Sequence, residues 1–196
     1  MRLFGLTGGI GMGKSTAAEL LRARGIAVVD TDQLARQVVE QGQPALAEVQ
    51  ARFGEEVIGS DGRLRRDELA RRVFADAAAR RDLEAILHPR IRVLWREQVA
   101  TWRAEGRSTG VVVIPLLFET HAESNFDATI CVACSAATQR QRLLARGWTP
   151  EQIEQRNRAQ STVERKMALS DFVVWTDGAT DVTAAQLERV LAAPLL

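Results

Sequence analysis

A glycine-rich segment near the start of the chain matches the pattern G-x-x-x-x-G-K-[ST]. Glycines let successive backbone N–H groups turn inward around an anion, and the lysine that follows is a compact charge that can reach the outer phosphates of a nucleotide. The next hydroxyl suits Mg²⁺, and a second hydroxyl can cap a phosphate oxygen. The pattern predicts a nucleoside-triphosphate site, with Ser15 on the metal, formed by Gly8, Gly9, Gly11, Met12, Gly13, Lys14, Ser15 and Thr16.

Short strands and helices surround this loop. Residues 2–7 are an apolar run that ends in glycines, which predicts a strand, and residues 14–24 have helical spacing. A second strand is predicted at 26–29, closed by Asp30, and a helix over 32–41. Strands that alternate with helices indicate a parallel sheet covered by helices.

The middle of the chain has a different pattern. From about 44 to 106, apolar residues recur every three or four positions with almost no strand signal, which predicts a helical insertion beside the sheet. Pro89 is expected to begin or kink a helix there. Continuous apolar runs typical of buried parallel strands follow at 111–114 and 128–133. The remaining predicted elements are a strand at 172–174 and helices over 136–146, from 149 onward and over 180–192.

Two carboxylates follow the second predicted strand, at the edge of an α/β sheet where ligands bind. The spacing of Asp30 and Asp32 can aim both toward the glycine loop. One could accept a proton from an acceptor hydroxyl, and the other could hold a water on Mg²⁺. Alternatively, Asp30 or Thr31 caps the helix that follows.

A basic segment lies in the last third of the chain. Residues 136–166 hold seven basic side chains against three acidic ones, in a chain whose net charge is +1. Such a segment suits a helical flap that closes over phosphates, although a solvated helix face has the same composition. The basic residues are Arg140, Arg142, Arg146, Arg156, Arg158, Arg165 and Lys166.

Composition excludes several classes of protein. With 196 residues, 46% of them hydrophobic, the chain can bury one core with small insertions. A net charge of +1 is unlike a dedicated nucleic-acid or membrane-surface protein. No apolar run can span a bilayer and no signal peptide is apparent, so we expect a cytoplasmic protein. The C-x-x-C pair, Cys131 and Cys134, lacks the further ligands that zinc needs and is not expected to be functional.

The absence of several motifs narrows the class of nucleotide-binding protein to which the chain can belong. Neither asparagine, Asn125 or Asn157, begins the N-K-x-D motif of a GTPase, and no aspartate begins D-x-x-G. The strand at 111–114 runs into Pro115 rather than the magnesium-binding acid of an ATPase motor. These absences favour a small kinase. A shikimate- or nucleoside-kinase-like enzyme and an ATP-sensing regulator remain alternatives.

The order and spacing of several motifs resemble the dephospho-CoA kinase family over about residues 1–178. The matching residues are 6–16, 30–32 with Arg36, 88–92, 115–119, Arg142 with Arg146, Gln160 and 171–174. Two positions depart from the family pattern. Val113 stands where many members have an acid, and Thr176 stands where an asparagine is common.

The resemblance implies a three-layer α/β P-loop kinase fold with a parallel five-stranded sheet. Residues 1–30, 107–139 and 167–196 would form the nucleotide-binding core, 31–106 a helical acceptor-binding domain and 140–166 a small helical lid. The implied partners are ATP, Mg²⁺ and dephospho-CoA. No nucleic acid, membrane or obligate protein partner is expected.

The implied reaction is ATP-dependent phosphorylation of the ribose 3′-hydroxyl of dephospho-CoA. Asp32 would be the general base, Lys14 would stabilise the phosphates, and Arg142 and Arg146 would clamp the transferring phosphoryl group. Asp30 is a second candidate for the Mg²⁺ site. The acceptor would be bound by Asp32, Arg36, His88, Arg92, Pro115, Leu116, Leu117, Phe118 and Glu119.

Overall fold

Within residues 1–194, which the computed structural model describes, five parallel strands form one sheet. The strands are β1 (Arg2–Thr7), β2 (Ala27–Asp30), β3 (Thr109–Val113), β4 (Ala128–Ala133) and β5 (Phe172–Trp175), and their order across the sheet is β2-β3-β1-β4-β5. Every paired strand runs parallel to its neighbour, and the pairs that are consecutive in sequence, β2–β3 and β4–β5, are joined by crossovers that contain helices.

The chain divides into two compact units. Met1–Asp30 and the chain from Thr101 onward form the first, which we call the sheet unit, and Thr31–Ala100 form the second, the helical unit. The helices are α1 (Lys14–Ala23), α2 (Thr31–Gln37), α3 (Pro44–Phe53), α4 (Arg66–Ala75), α5 (Ala77–Ala104), α6 (Ala136–Ala145), α7 (Pro150–Arg158), α8 (Val163–Leu169) and α9 (Thr180–Ala192).

Strands β3 and β4 of the sheet unit have continuous apolar sequences because both of their faces lie in its core. All residues of β3 and β4 are buried, because helices cover both faces of a parallel sheet. Leu21 of α1 and Leu187 of α9 pack into the same cluster as Phe4 and Ile130. This burial holds the carboxyl ends of β1, β3 and β4 at one edge of the sheet.

Side chains cap the three helices between β4 and β5 and so define where they begin. The hydroxyl of Ser135 accepts the Thr138 N–H at the start of α6, and Thr149 forms a full capping box with Gln152 at the start of α7. The hydroxyl of Thr162 accepts the Arg165 N–H at the start of α8. The sequence predicted the start at Thr149 and left α8 unassigned.

The helical unit has its own core, which includes Val49, Val57 and Leu69. Helix α5 continues through Pro89, so of the two expectations, that this proline begins a helix or kinks one, the first is wrong and the second stays a prediction. A proline inside a helix removes one backbone hydrogen bond. Leu87 and Ile91 on either side of it pack against the core of the unit, and that burial offsets the loss.

Candidate active site

The glycine loop joins β1 to α1 in a conformation that other residues would not tolerate. Gly8 has φ +151°, and a Cβ placed there would lie 2.3 Å from the backbone oxygen of Val132. Gly13 has φ +95° and directly precedes α1. Close approach of the loop to β4 and a left-handed turn before the helix therefore require glycine at both ends of the motif.

Lys14 begins α1 and folds back over the loop. Its Nζ donates to the backbone oxygens of Gly8 and Gly9, both at 2.9 Å. The first turn of α1 contains no acidic residue, and no side chain caps it. An anion such as a polyphosphate fits this helix N-terminus, because no carboxylate repels it there. The backbone groups of the loop and the ammonium of Lys14 lie beside the same helix start.

A second layer of contacts fixes the loop from the side of α6 and β5. The Oγ1 of Thr176, a buried residue, donates to the backbone oxygen of Met12 at 2.9 Å and accepts from Nη1 of Arg142 at 2.9 Å. Nη2 of Arg142 also donates to the backbone oxygen of Thr176. Thr176 therefore links the predicted phosphoryl-clamping arginine to the phosphate loop.

Sequence reasoning missed Gln139, whose Nε2 donates to the backbone oxygen of Ile10 at 2.7 Å. Leu143, one turn further along α6, is so close to Gly11 that a Cβ there would lie 2.9 Å from its side chain. Gln139, Arg142 and Leu143 have i, i+3 and i+4 spacing and share one face of α6. That spacing was visible in the sequence and is the signal that could have found Gln139.

Met12 and the two cysteines lie inside the sheet unit. Met12 is 3% exposed, and its Sδ lies 3.3 Å from both the backbone N and the Sγ of Cys134. Burial raises the pKa of the Cys131 thiol to about 11. Both cysteines are free and buried, and an apolar environment of this kind makes a thiol unreactive.

The segment after β3, residues 115–119, lies partly inside the core. Leu117 and Phe118 are buried, whereas Pro115 and Glu119 are half-buried. The Glu119 carboxylate accepts from the Ser161 N–H at 2.8 Å and from Nζ of Lys166. Burial acts to raise the pKa of Glu119, but these hydrogen bonds outweigh it and the pKa lies below its ordinary value.

Lys166, which the sequence groups with the basic segment, is fully buried and so does not belong to a solvated helix face. Its charge is balanced by Glu119, 2.9 Å away. The arginines of the segment differ from it: Arg142 is half-buried and Arg146, which follows α6, is exposed.

The predicted acceptor-side residues of the helical unit lie on two helices. Asp32 and Arg36 are exposed in the first and last turns of α2, and His88 and Arg92 are one turn apart on α5. Burial lowers the pKa of His88; the nearby charge of Glu84 opposes this shift and that of Arg92 adds to it, and the lowered pKa favours the neutral imidazole.

Asp30 ends β2 in the sheet unit and lies in register with Val113, which lies in register with Leu6. Asp30 therefore lies at the edge of the sheet where the phosphate loop begins. Mg²⁺ usually takes one or two protein oxygens and completes its shell with phosphate and water. The exposed hydroxyl of Ser15 and the half-buried carboxylate of Asp30 fit that donor set.

Residues 1–194 contain neither a preformed cluster of metal ligands nor a membrane-spanning helix. No three His, Cys, Asp or Glu side chains cluster there in a way that could hold a metal ion. No helix in the same part of the chain is long and apolar enough to cross a membrane.

The parallel sheet, the glycine loop between β1 and α1, and the lysine at the end of that loop define a P-loop kinase fold, as predicted. A shikimate kinase of Bacteroides thetaiotaomicron has the same fold at 13% identity, with a TM-score of 0.52 over 98% of this chain and 99% of that one.

The model of the dephospho-CoA kinase family matches residues 2–181. A dephospho-CoA kinase of Anaeromyxobacter dehalogenans is 48% identical over 193 residues, which are 98% of this chain and 92% of that protein. A crystal structure from Thermus thermophilus is 35% identical, with a TM-score of 0.84 over 97% of this chain and 96% of that one. The chain belongs to the dephospho-CoA kinase family, and the resemblance found in its motifs is confirmed.

Proposed function

We propose that this kinase transfers the γ-phosphoryl group of ATP to the ribose 3′-hydroxyl of dephospho-CoA, giving coenzyme A and ADP. The observation that supports it most directly is the phosphate loop, in which Lys14 folds over Gly8 and Gly9 and the N-terminus of α1 faces the same space. Family membership supplies the acceptor.

The sheet unit holds the groups that we assign to the nucleotide. The loop N–H groups and Lys14 bind the β- and γ-phosphates, and Arg142 and Arg146 balance the charge that develops on the transferring group. Ser15 and Asp30 would hold Mg²⁺, which when bound neutralises phosphate oxygens. Thr176 orients Arg142 through two hydrogen bonds.

Asp32 is proposed as the general base that accepts the proton of the acceptor hydroxyl, so that the oxygen can attack phosphorus as the β–γ bridging bond breaks. Its exposure in the first turn of α2 leaves the carboxylate accessible to an acceptor. Arg36, His88 and Arg92 are proposed to bind the acceptor's anionic and polar groups, and residues 115–119 to line its pocket.

The decisive experiment measures ADP release with ATP and Mg²⁺, with and without dephospho-CoA. Acceptor-dependent turnover is expected with dephospho-CoA and not with its 3′-deoxy analogue. Equal turnover with and without acceptor would refute the proposed reaction. ATP binding with no transfer to any acceptor would favour a nucleotide-binding regulator.

Asp32→Asn tests the general base. We expect kcat to fall by about 10²–10⁴-fold, the usual value of general base catalysis. Asp67→Asn is the matched control, because Asp67 is also an exposed aspartate in the first turn of a helix of the same unit. If Asp32→Asn stays within about twofold of Asp67→Asn, Asp32 is not the base.

A further inference from the structure

Lys166 carries a charge that the proposed reaction leaves without a role. Its side chain is 0% exposed. Nζ donates to the backbone oxygen of Pro115 at 2.5 Å and contacts both oxygens of Glu119, at 2.9 and 3.2 Å. An ammonium has three N–H donors, and these three acceptors account for all of them. Lys166 is therefore placed to act on its neighbours in the fold rather than on a ligand.

Both partners of Lys166 lie in residues 115–119, and each also accepts a hydrogen bond from a further segment of the sheet unit. The Pro115 oxygen that it binds also accepts from Oγ1 of Thr7 at 3.2 Å, and Thr7 directly precedes Gly8. The Glu119 oxygen that it binds also accepts the Ser161 N–H at 2.8 Å, just before α8. One buried charge thus connects the start of the phosphate loop, residues 115–119 and the segment that leads into α8.

A buried ion pair is a poor way to gain stability alone, because the cost of removing two charges from water often exceeds their attraction. An apolar pair of similar volume can fill the same space as well or better. Directional hydrogen bonds differ from apolar packing in one respect: they fix the angle and distance of the groups that they join. At this position the fixed groups are the Pro115 carbonyl and the Glu119 carboxylate.

We propose that Lys166 and Glu119 are a positioning pair, which holds residues 115–119 at a set distance from the start of the phosphate loop so that acceptor and γ-phosphate align for transfer. The inference rests on the proposed function. The inference also changes the role of Glu119. Its carboxylate is bound to Lys166 and to the Ser161 N–H, so it does not contact the acceptor and instead positions residues 115–119.

The test compares single and double replacements in the full chain. Glu119→Met leaves the fully buried charge of Lys166 without its partner, and Lys166→Met does the same to the half-buried charge of Glu119. Both single variants are expected to lower the urea midpoint of unfolding. The double variant removes both charges and is expected to recover the wild-type midpoint. Arg24→Met/Glu188→Met is the control pair, because this ion pair of the sheet unit is solvent-exposed and is expected to affect neither stability nor turnover.

Activity of the double variant separates positioning from stability. We expect kcat with dephospho-CoA to remain at least about 10-fold below wild type, with KM for ATP within about threefold, because misplaced reactants slow transfer without weakening nucleotide binding. A double variant with wild-type stability and wild-type kcat would overturn the inference and leave the proposed function intact. Wild-type protein without acceptor-dependent turnover would refute both.

Glu119→Gln supplies a second measurement that does not depend on the double variant folding. The amide keeps the size of the side chain and one oxygen acceptor but loses the charge. We expect kcat to fall by about fivefold or more with KM for ATP unchanged. Wild-type kcat in Glu119→Gln would also overturn the inference.

Discussion

Replacing Thr176 by valine removes one oxygen from the interior of the sheet unit and keeps the shape of the side chain. Two hydrogen bonds depend on that oxygen: the one donated to the Met12 backbone oxygen and the one accepted from Arg142. Arg142 is half-buried and keeps its bond to the Thr176 backbone oxygen, so little is lost on that side. The Met12 oxygen loses a buried donor.

Leaving a buried acceptor without its partner costs about 1–3 kcal/mol, and we expect Thr176→Val to lower the free energy of unfolding by that amount. Thr183→Val is the matched control. Thr183 is 2% exposed against 4% for Thr176, but its Oγ1 makes only a long contact of 3.5 Å with the Trp175 backbone oxygen. That contact is too long to contribute much, so the control should lose less than about 0.5 kcal/mol.

Urea unfolding followed by tryptophan fluorescence measures the difference. Three of the four tryptophans lie in the sheet unit, at positions 102, 148 and 175, so the signal reports mainly on the part of the chain that contains Thr176. With a slope of about 2 kcal/mol per molar urea, the midpoint should fall by roughly 0.5–1.5 M. A loss for Thr176→Val within about 0.5 kcal/mol of the control would refute this account of the loop.

Three further predictions follow from individual side chains. Gly8→Ala places a Cβ 2.3 Å from the Val132 oxygen, so nucleotide affinity should fall by at least about 10-fold in an ATP-analogue titration; unchanged affinity would contradict the loop geometry. Cys131, with a pKa of about 11, holds about a thousandth of its population as thiolate at pH 8, so native protein should resist iodoacetamide until it unfolds, as mass spectrometry would report. The pKa of Glu119 is lower in the folded state than its ordinary value of 4.5, so as the pH falls the unfolded state binds the proton first. The carboxylate therefore stabilises the fold fully above pH 4.5. This stabilisation is lost as the pH falls from 4.5 through the lower pKa of the folded state. Glu119→Gln should therefore flatten the stability profile below pH 4.5, and an unchanged acid limb would show that the pair does not contribute.

Local patterns were sufficient to predict the sheet unit and its phosphate loop. The backbone at both ends of the motif has a conformation that residues other than glycine rarely adopt. Lys14 is the first residue of α1. The apolar runs of β3 and β4 predict strands buried on both faces because no solvent-facing alternation interrupts them. These features depend only on residues that are close in sequence, so they can be predicted from the sequence alone.

Features that depend on distant pairing were not predictable in the same way. Lys166 lies in a basic run in which the sequence indicates no role for it, but it pairs in the core with Glu119, which comes from another segment of the chain. Thr176 departs from the family pattern, and nothing in the sequence indicates that it joins Met12 to Arg142. Helix α8 is only seven residues long, which is too short for a clear hydrophobic period.

The functional roles of four residues stay predictions for a different reason; these are Asp32, Arg36, His88 and Arg92. Their positions on α2 and α5 follow from the helical spacing of the sequence, but their role depends on the acceptor. The division of the chain into core, acceptor domain and lid by function likewise stays a prediction. The acceptor assay and the Asp32→Asn variant test these roles.

The strand order also has a consequence for how the protein is made. β1 is the central strand, but Arg2 pairs with Thr109 and Phe4 pairs with Ala128, so its partners follow it by more than a hundred residues. On the ribosome, the first strand and the glycine loop emerge long before the strands that hold them, and such distant pairing slows folding. The phosphate loop is therefore synthesised before the strands that hold it and acquires its final shape only after they have paired with β1.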